Sequence, residues 1–139
     1  MRGNNFFKDM KSYLSIDYGF ARIGLAISES GLLARPLMTI QNRGARKNFA
    51  AIAKVTQQFK TECIVIGLPV HKNTDMSDNV REFAETLKPL GLEIEFQNEM
   101  LTSVAAGEIC NDKKLLDSYA AAVILNDYIK ENNKNVIPN

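Results

Sequence analysis

The sequence has few of the residues that build disulfide frameworks or zinc sites. It contains two cysteines, Cys63 and Cys110, outside Cys-x-x-Cys spacing, and one histidine, His71. A structural zinc site uses about four such ligands in tight spacing, so neither zinc binding nor a disulfide framework is indicated. Both cysteines are predicted to be packing residues. A lone loop histidine is more often incidental than catalytic.

Long apolar runs and a charge excess are also missing. No apolar run approaches the roughly 20 residues that a membrane-spanning helix requires, and residues 1–11 lack the apolar core of a secretory signal. We therefore expect a cytoplasmic protein without membrane attachment. The 17 Lys and Arg residues against 16 Asp and Glu give a net charge of +1, which excludes the broad basic face of a nonspecific DNA-packing protein.

Any nucleic-acid contact must then come from local basic clusters, and the sequence has two. Arg43, Arg46 and Lys47 lie before and within a predicted helix, and Lys113 with Lys114 lies between two later helices. Short basic runs are also typical of solvated helix ends, so each cluster alone leaves both interpretations open.

The size and composition are those of one globular domain. A chain of 139 residues with 45% hydrophobic and 24% charged residues can bury a sizeable core. We predict a single domain over 1–139, with a polar lead-in over 1–12 and a frayed tail over 132–139.

Apolar residues recur with a period of two in some segments and of three to four in others, which distinguishes strands from helices. The predicted elements are, in order, a strand ending near Asp17, strands over 23–28 and 32–40, a helix through 49–59, a strand over 62–68, a polar loop over 70–77, a helix from 77 or 78 to 88, a strand over 92–96, a short helix from 102 or 103 to 110, and a helix over 116–131. Pro36 indicates an edge strand or a bulge.

This order of elements predicts an α/β fold with a mixed sheet of five strands. Three strands in series form an antiparallel meander, two later strands run parallel, and helices cover both faces. The first strand is expected to be central.

The strongest functional signal is a carboxylate inside the first apolar strand. Leu14 and Ile16 share one face of that strand, and Ser15 and Asp17 project from the other. Gly19, in the turn that follows, is free to take a positive φ. An ionised acid is costly to bury unpaired, so Asp17 either starts the turn at a strand end or binds a ligand.

Two further acids can meet Asp17. Asp117 lies at the centre of the apolar stripe of the last helix, although an acid near a helix N-terminus is also favoured by the helix dipole. Glu99 follows the strand over 92–96 and precedes the next predicted helix. With the first strand central, the ends of the first and fifth strands and the start of the last helix converge.

Three converging carboxylates repel one another, and a divalent cation removes that repulsion. Oxygen ligands without Cys or His favour Mg²⁺ or Mn²⁺ over zinc. Two such ions about 4 Å apart can activate a water and stabilise the leaving oxygen in the hydrolysis of a phosphodiester. Asp17, Glu99 and Asp117 are therefore the candidate catalytic and metal-binding residues.

Four segments, in this order, resemble the YqgF family, also called RuvX-like. They are residues 15–19 with 22–26 (SIDYG and RIGLA), 66–69 (IGLP), 98–103 (NEMLTS) and 116–121 (LDSYAA). The resemblance covers roughly residues 12–128. It implies a ribonuclease H-like fold, an acidic site on Asp17, Glu99 and Asp117, and a nuclease that trims the 5′ end of pre-16S rRNA; family members were formerly assigned to Holliday junction resolution.

The chain departs from the family pattern at two places. The family usually has Asp-Glu-Arg where this chain has Asn98, Glu99 and Met100, and the loop after Pro69 lacks the usual Asp-Gly. An acid and a phosphate-reaching cation are therefore missing beside Glu99. Arg22, Lys113 or Lys114 is expected to supply that positive charge.

The leading hypothesis is a metal-dependent endonuclease acting on structured RNA, with pre-rRNA as the partner. Its substrate-binding residues would be Arg22, Arg43, Arg46, Lys113 and Lys114. The alternatives are a four-way DNA junction resolvase, and a nucleic-acid-binding factor in ribosome assembly or transcription that does not cleave. A monomer or weak homodimer is expected. The Asp-x-Gly segment from Asp17 also resembles the first phosphate motif of actin-like ATPases, but 139 residues cannot supply the two domains those proteins need.

Overall fold

The computed structural model describes residues 11–69, 74–99 and 113–132. The predicted helix from 102 or 103 to 110, with Cys110 and His71, lies outside these residues. So do nearly all of the predicted lead-in and tail.

Five strands and three α-helices make up the described fold. The strands are β1 (Tyr13–Tyr18), β2 (Arg22–Ser28), β3 (Arg35–Gln41), β4 (Cys63–Pro69) and β5 (Glu93–Glu99). The helices are α1 (Ala45–Gln58), α2 (Thr74–Thr86) and α3 (Lys113–Asn132), with a short 3-10 helix at Lys88–Leu90.

The strands form one mixed sheet in the order β3-β2-β1-β4-β5. β1 pairs antiparallel with β2 and β2 with β3, whereas β4 is parallel to β1 and β5 to β4. The predicted architecture and the central position of β1 are therefore confirmed. Parallel strands of this kind end at the same edge of the sheet, which is where ligand sites usually form.

Helices cover both faces of the sheet. On one face Leu14 and Ile16 pack in a cluster with Ile52 of α1 and Phe83 of α2. On the other face α3 lies over β2, β1 and β4, and Ser15 donates a hydrogen bond from Oγ to the Ala121 carbonyl at 2.6 Å. The alternation predicted for β1 is confirmed: apolar residues face α1 and α2, and Ser15 faces α3.

The third strand begins later than predicted. β3 starts at Arg35 rather than at residue 32, because the Ala34 N–H donates to Asn126 Oδ1 of α3 at 2.9 Å instead of to β2. Leu32 and Leu33 are consequently exposed. β3 is an edge strand, and its register with β2 shifts between Leu25 and Ala26, opposite Pro36, as expected for a proline in a sheet.

Several other boundaries were wrong; the last helix, α3, for example, begins at Lys113 rather than at residue 116. The strand predicted over 92–96 continues to Glu99, because β5 pairs with β4 as far as Pro69. The helix predicted from 77 or 78 to 88 runs from Thr74 to Thr86, since the Ser77 hydroxyl donates to the Pro69 carbonyl rather than capping the helix. The α-helix ends at Thr86, and Lys88–Leu90 form a 3-10 helix that includes Pro89, which lacks the N–H needed to continue α-helical hydrogen bonding.

None of the helices in the described ranges is long and apolar enough to cross a membrane.

Candidate functional site

Asp17 lies between two glycines on the face of the sheet that α3 covers. Gly24 of β2 is its partner in the antiparallel ladder, and Gly67 of β4 is level with it, one residue beyond the pair Ile16 and Ile66. Neither glycine places a side chain on this face. The two neighbouring strands therefore leave room beside Asp17 for groups from other elements.

The space above Gly24 is filled by the backbone of α3 at Asp117. A Cβ atom on Gly24 would lie 2.0 Å from the Asp117 carbonyl oxygen and 2.9 Å from the Ser118 nitrogen. Only glycine permits this approach. Because Gly24 is directly opposite Asp17, the contact brings the start of α3, with Asp117, beside the Asp17 carboxyl group.

Glu99 reaches Asp17 from the other side. It lies at the carboxyl end of β5, and a Cβ atom on Gly67 would lie 3.4 Å from Glu99 Oε2. The Glu99 carboxylate therefore passes over Gly67, and it forms a hydrogen bond with the Asp17 carboxyl group. Two residues earlier Gln97, which is buried, donates from Nε2 to Glu131 of α3 at 2.8 Å, so this part of β5 is fixed to the helix.

The electrostatics of the cluster follow from burial. Burial raises the pKa of Asp17 well above its ordinary value of 3.8, and the charge of Glu99, the hydrogen bond between Asp17 and Glu99 and the charge of Asp117 raise it further. Two carboxyl groups joined by a hydrogen bond share one proton, and the raised pKa of Asp17 favours its protonated form.

Asp117 has a different partner. Arg22, at the start of β2, donates from Nε to Asp117 Oδ2 at 2.6 Å, and both side chains are partly exposed. Among the described residues, no three Asp, Glu, His or Cys side chains are arranged so that they could hold a metal ion together. The structure joins Asp17 to Glu99 directly, whereas Asp117 is close enough to raise the pKa of Asp17 but is turned towards Arg22.

These residues nevertheless fit a hard divalent cation. All three side chains supply oxygen ligands, the type that Mg²⁺ and Mn²⁺ prefer. The proton shared by Asp17 and Glu99 and the Arg22 guanidinium on Asp117 offset negative charge that a bound cation would otherwise neutralise. Binding by all three carboxylates would require loss of that proton and release of Asp117 from Arg22.

The other basic candidates lie at the starts of two helices, α1 and α3. Arg43 precedes α1 and Arg46 lies in its first turn, and both are exposed. Arg43 follows Asn42, whose side chain is bonded to the β1–β2 turn through the Gly19 carbonyl. Lys113 and Lys114 were predicted to lie between two helices, but they begin α3, the helix that carries Asp117. Their side chains lie outside the described residues.

Gly24 and Gly67 were not predicted from the sequence to be site residues. A glycine inside a strand is a signal for close approach by another backbone or ligand, and both positions carry it. The expectation for Gly19 was wrong: the described glycines with positive φ are Gly31, Gly44 and Gly91. Gly19 is needed for space instead, because its Cβ would lie 2.6 Å from the Arg22 carbonyl oxygen.

The RuvX family model, described as Holliday junction resolvase, matches residues 11–131. The chain belongs to the RuvX family. This RuvX chain is 32% identical over 133 residues to a protein of Nitrosospira multiformis named "Putative pre-16S rRNA nuclease", covering 86% of this chain and 88% of that protein. It is 34% identical over 142 residues to a protein of Dechloromonas aromatica with the same name, covering 93% of this chain and 97% of that protein.

Solved structures show the same fold at low sequence identity. The RuvX chain matches Thermus thermophilus RuvC in complex with a Holliday junction substrate with a TM-score of 0.59, at 15% identity, over 89% of this chain and 96% of RuvC. A Fowlpox virus resolvase bound to Holliday junction DNA matches with a TM-score of 0.53, at 10% identity, over 88% of this chain and 99% of the resolvase. The fold is ribonuclease H-like, and the family resemblance stated from the sequence is confirmed.

Proposed function

We propose that this RuvX protein is a metal-dependent endonuclease that hydrolyses phosphodiester bonds in structured RNA, with the 5′ end of pre-16S rRNA as its substrate in the cytoplasm. The observation that carries the proposal is the partly buried, hydrogen-bonded Asp17–Glu99 carboxyl pair, with Asp117 beside it. The names of the relatives support the choice of RNA.

In this proposal Asp17, Glu99 and Asp117 hold Mg²⁺ or Mn²⁺. Metal ions in such a site, one or two of them, supply an activated water and stabilise charge on the leaving oxygen. Asp17 would act as a ligand in its deprotonated form, and Asp117 would do so when released from Arg22. Glu99 is fixed for this role by its strand, since β5 is paired with β4 up to this residue.

Arg22 then becomes available to the substrate. Its planar guanidinium group matches the geometry of a phosphate. Released from Asp117, it lies at the rim of the acidic site and replaces the cation that the family has at position 100, where this chain has methionine. Arg43, Arg46, Lys113 and Lys114 contact phosphates further along the strand.

The proposal is tested by a matched pair of substitutions on α3. Asp117→Asn is expected to lower Mg²⁺-dependent cleavage of a pre-16S rRNA 5′ leader by at least about 100-fold, the scale of losing one strong electrostatic contribution. Asp127→Asn changes an exposed acid on the same helix and is expected to leave cleavage unchanged. Full activity in Asp117→Asn would contradict the assignment of this residue.

A second candidate is resolution of four-way DNA junctions, which the family description and the two structural matches favour. Junction resolution needs paired incisions, and therefore a dimer that places two sites across the junction. We propose a monomer or weak homodimer, which suits RNA trimming. Paired cuts in a synthetic junction by a stable dimer, without cleavage of the RNA leader, would favour the resolvase. Tight RNA binding without hydrolysis in Mg²⁺ or Mn²⁺ would instead identify a binding factor in ribosome assembly or transcription.

A further inference from the structure

Phe20 stands in solvent at the tip of the β1–β2 turn. Its side chain is 68% exposed, the largest exposed fraction of any aromatic side chain in the described ranges. A phenylalanine in this position stabilises the fold little, because the apolar surface it removes from water is small. Because it lies beside the acidic site and contributes little to stability, the ring is a candidate for contact with a ligand.

The turn that carries Phe20 is held by hydrogen bonds on both sides of that residue. The Asn42 side-chain amide donates to the Gly19 carbonyl at 2.8 Å, and the Asn42 backbone N–H donates to the Ala21 carbonyl at 3.0 Å. Asn48, which is buried, donates from Nδ2 to Asn42 Oδ1 at 2.9 Å. Phe20 is therefore presented on a fixed turn.

The same amide network fixes the basic loop next to the turn. The Arg43 backbone N–H donates to Asn48 Oδ1 at 3.0 Å. Arg43 also follows directly after Asn42, the residue that is hydrogen-bonded to the turn. The backbones that carry an exposed aromatic ring and an exposed arginine side chain are thus joined by one hydrogen-bond network. Proteins that bind single-stranded nucleic acid combine these two groups, one for the bases and one for the backbone.

The turn is also close to the candidate reaction site. Phe20 is three residues from Asp17 and two from Arg22. A chain spans at most about 3.6 Å per residue, so the Phe20 Cα lies within about 11 Å of that of Asp17. Nucleotides next to a bond held at Asp17 come within reach of the ring.

We propose that Phe20 stacks on an unpaired base next to the scissile bond, so that the substrate is single-stranded or splayed open at the cleavage point. This inference rests on the proposed nuclease function and adds a structural class of substrate to it. Stacking accepts any base, so Phe20 selects for unpaired nucleotides rather than for a sequence.

The test is RNA binding without divalent metal, so that the substrate stays intact. The probe is an RNA hairpin with a single-stranded 5′ extension that carries 2-aminopurine at one position at a time. Wild type is expected to quench the fluorescence at one position. Phe20→Leu, which keeps an apolar side chain without a ring, is expected to lose that quenching and to bind about 5- to 150-fold more weakly, the range for one stacked base. Phe20→Trp should retain both properties.

Two controls make the result specific. Leu33→Ala changes an equally exposed apolar side chain beyond the opposite end of β2, 72% exposed, and should leave binding and quenching unchanged. A fully paired duplex should bind Phe20→Leu and wild type alike. If wild type cleaves RNA and Phe20→Leu binds as tightly with the same quenching, the stacking inference is wrong and the nuclease proposal stands. If wild type neither binds nor cleaves RNA, the proposed function itself fails.

Discussion

Asp17→Asn is expected to abolish metal-dependent cleavage and, in the absence of metal, to make the protein more stable than wild type at neutral pH. Asparagine keeps the size of the side chain but cannot provide the charged ligand oxygen. It also removes the buried acid whose ionisation the folded state resists. We expect the free energy of unfolding to rise by about 0.5 to 2 kcal/mol at pH 7, the usual gain at a site that trades stability for function.

The sign of this effect depends on pH. The folded-state pKa of Asp17 is raised above its ordinary value of 3.8. Below that value the carboxyl group is protonated in both folded and unfolded chains, and burial carries no penalty. As pH rises above it, the unfolded chain releases the proton first, so wild type loses stability until the folded-state pKa is passed. Asp17→Asn removes this loss, and its advantage should therefore be absent near pH 3.5 and should grow as the pH rises above 3.8.

Urea denaturation with a chelator at pH 3.5 and pH 8 measures the difference. Asp78→Asn, at an exposed position of α2, serves as the control and should show no comparable change between the two pH values. An Asp17→Asn protein less stable than wild type at pH 8 would contradict the picture of Asp17 as a buried acid kept for function. Undiminished cleavage by that variant would remove Asp17 from the catalytic site.

Gly24→Ala is expected to cause the largest loss of stability among the single substitutions considered. The new Cβ would lie 2.0 Å from the carbonyl oxygen and 2.3 Å from the carbonyl carbon of Asp117. Both are backbone atoms, which cannot rotate away as a side chain can. The start of α3 would have to move off the sheet, at a cost of about 3 kcal/mol, the upper part of the range for overpacked cores. Cleavage should fall further than stability, since Asp117 moves with the helix.

Gly67→Ala provides the matched control. It adds the same methyl group to the adjacent strand on the other side of Asp17, but the nearest atom, at 2.6 Å, is Cδ1 of Ile124, the flexible end of a side chain. We expect a smaller loss of stability, together with reduced cleavage because Glu99 Oε2 lies 3.4 Å from the new atom. Equal losses of stability in the two variants, measured by urea denaturation, would show that the α3 backbone at Asp117 does not pack closely against Gly24.

The order and pairing of the strands could be predicted because local patterns specify them. The alternation of Leu14, Ser15 and Ile16 identifies the two faces of β1, and the apolar segment that follows α1 is typical of a buried parallel strand. The end of β5 could not be predicted in this way. Gln97 looks like a residue leaving a strand, but its amide is satisfied by Glu131 of α3, a partner 34 positions later.

The candidate site was only partly predictable for the same reason. The position of Asp117 on the inner face of its helix can be obtained from the spacing of apolar residues, and the structure places it against β2. The roles of Gly24 and Gly67 depend on which helix backbone and which carboxylate lie above them, and local sequence does not contain that information. The pairing of Arg22 with Asp117 is likewise a contact between residues 95 positions apart.

A crystal soaked in Mn²⁺ gives the most direct test of metal binding at the three carboxylates. The predicted result is an anomalous peak about 2.1 Å from carboxylate oxygens of both Asp17 and Glu99. Asp117 should have turned towards the metal and left Arg22. Absence of a peak at saturating Mn²⁺, with the Asp17–Glu99 hydrogen bond and the Arg22–Asp117 ion pair intact, would contradict the assignment of these acids as a metal-dependent nuclease site.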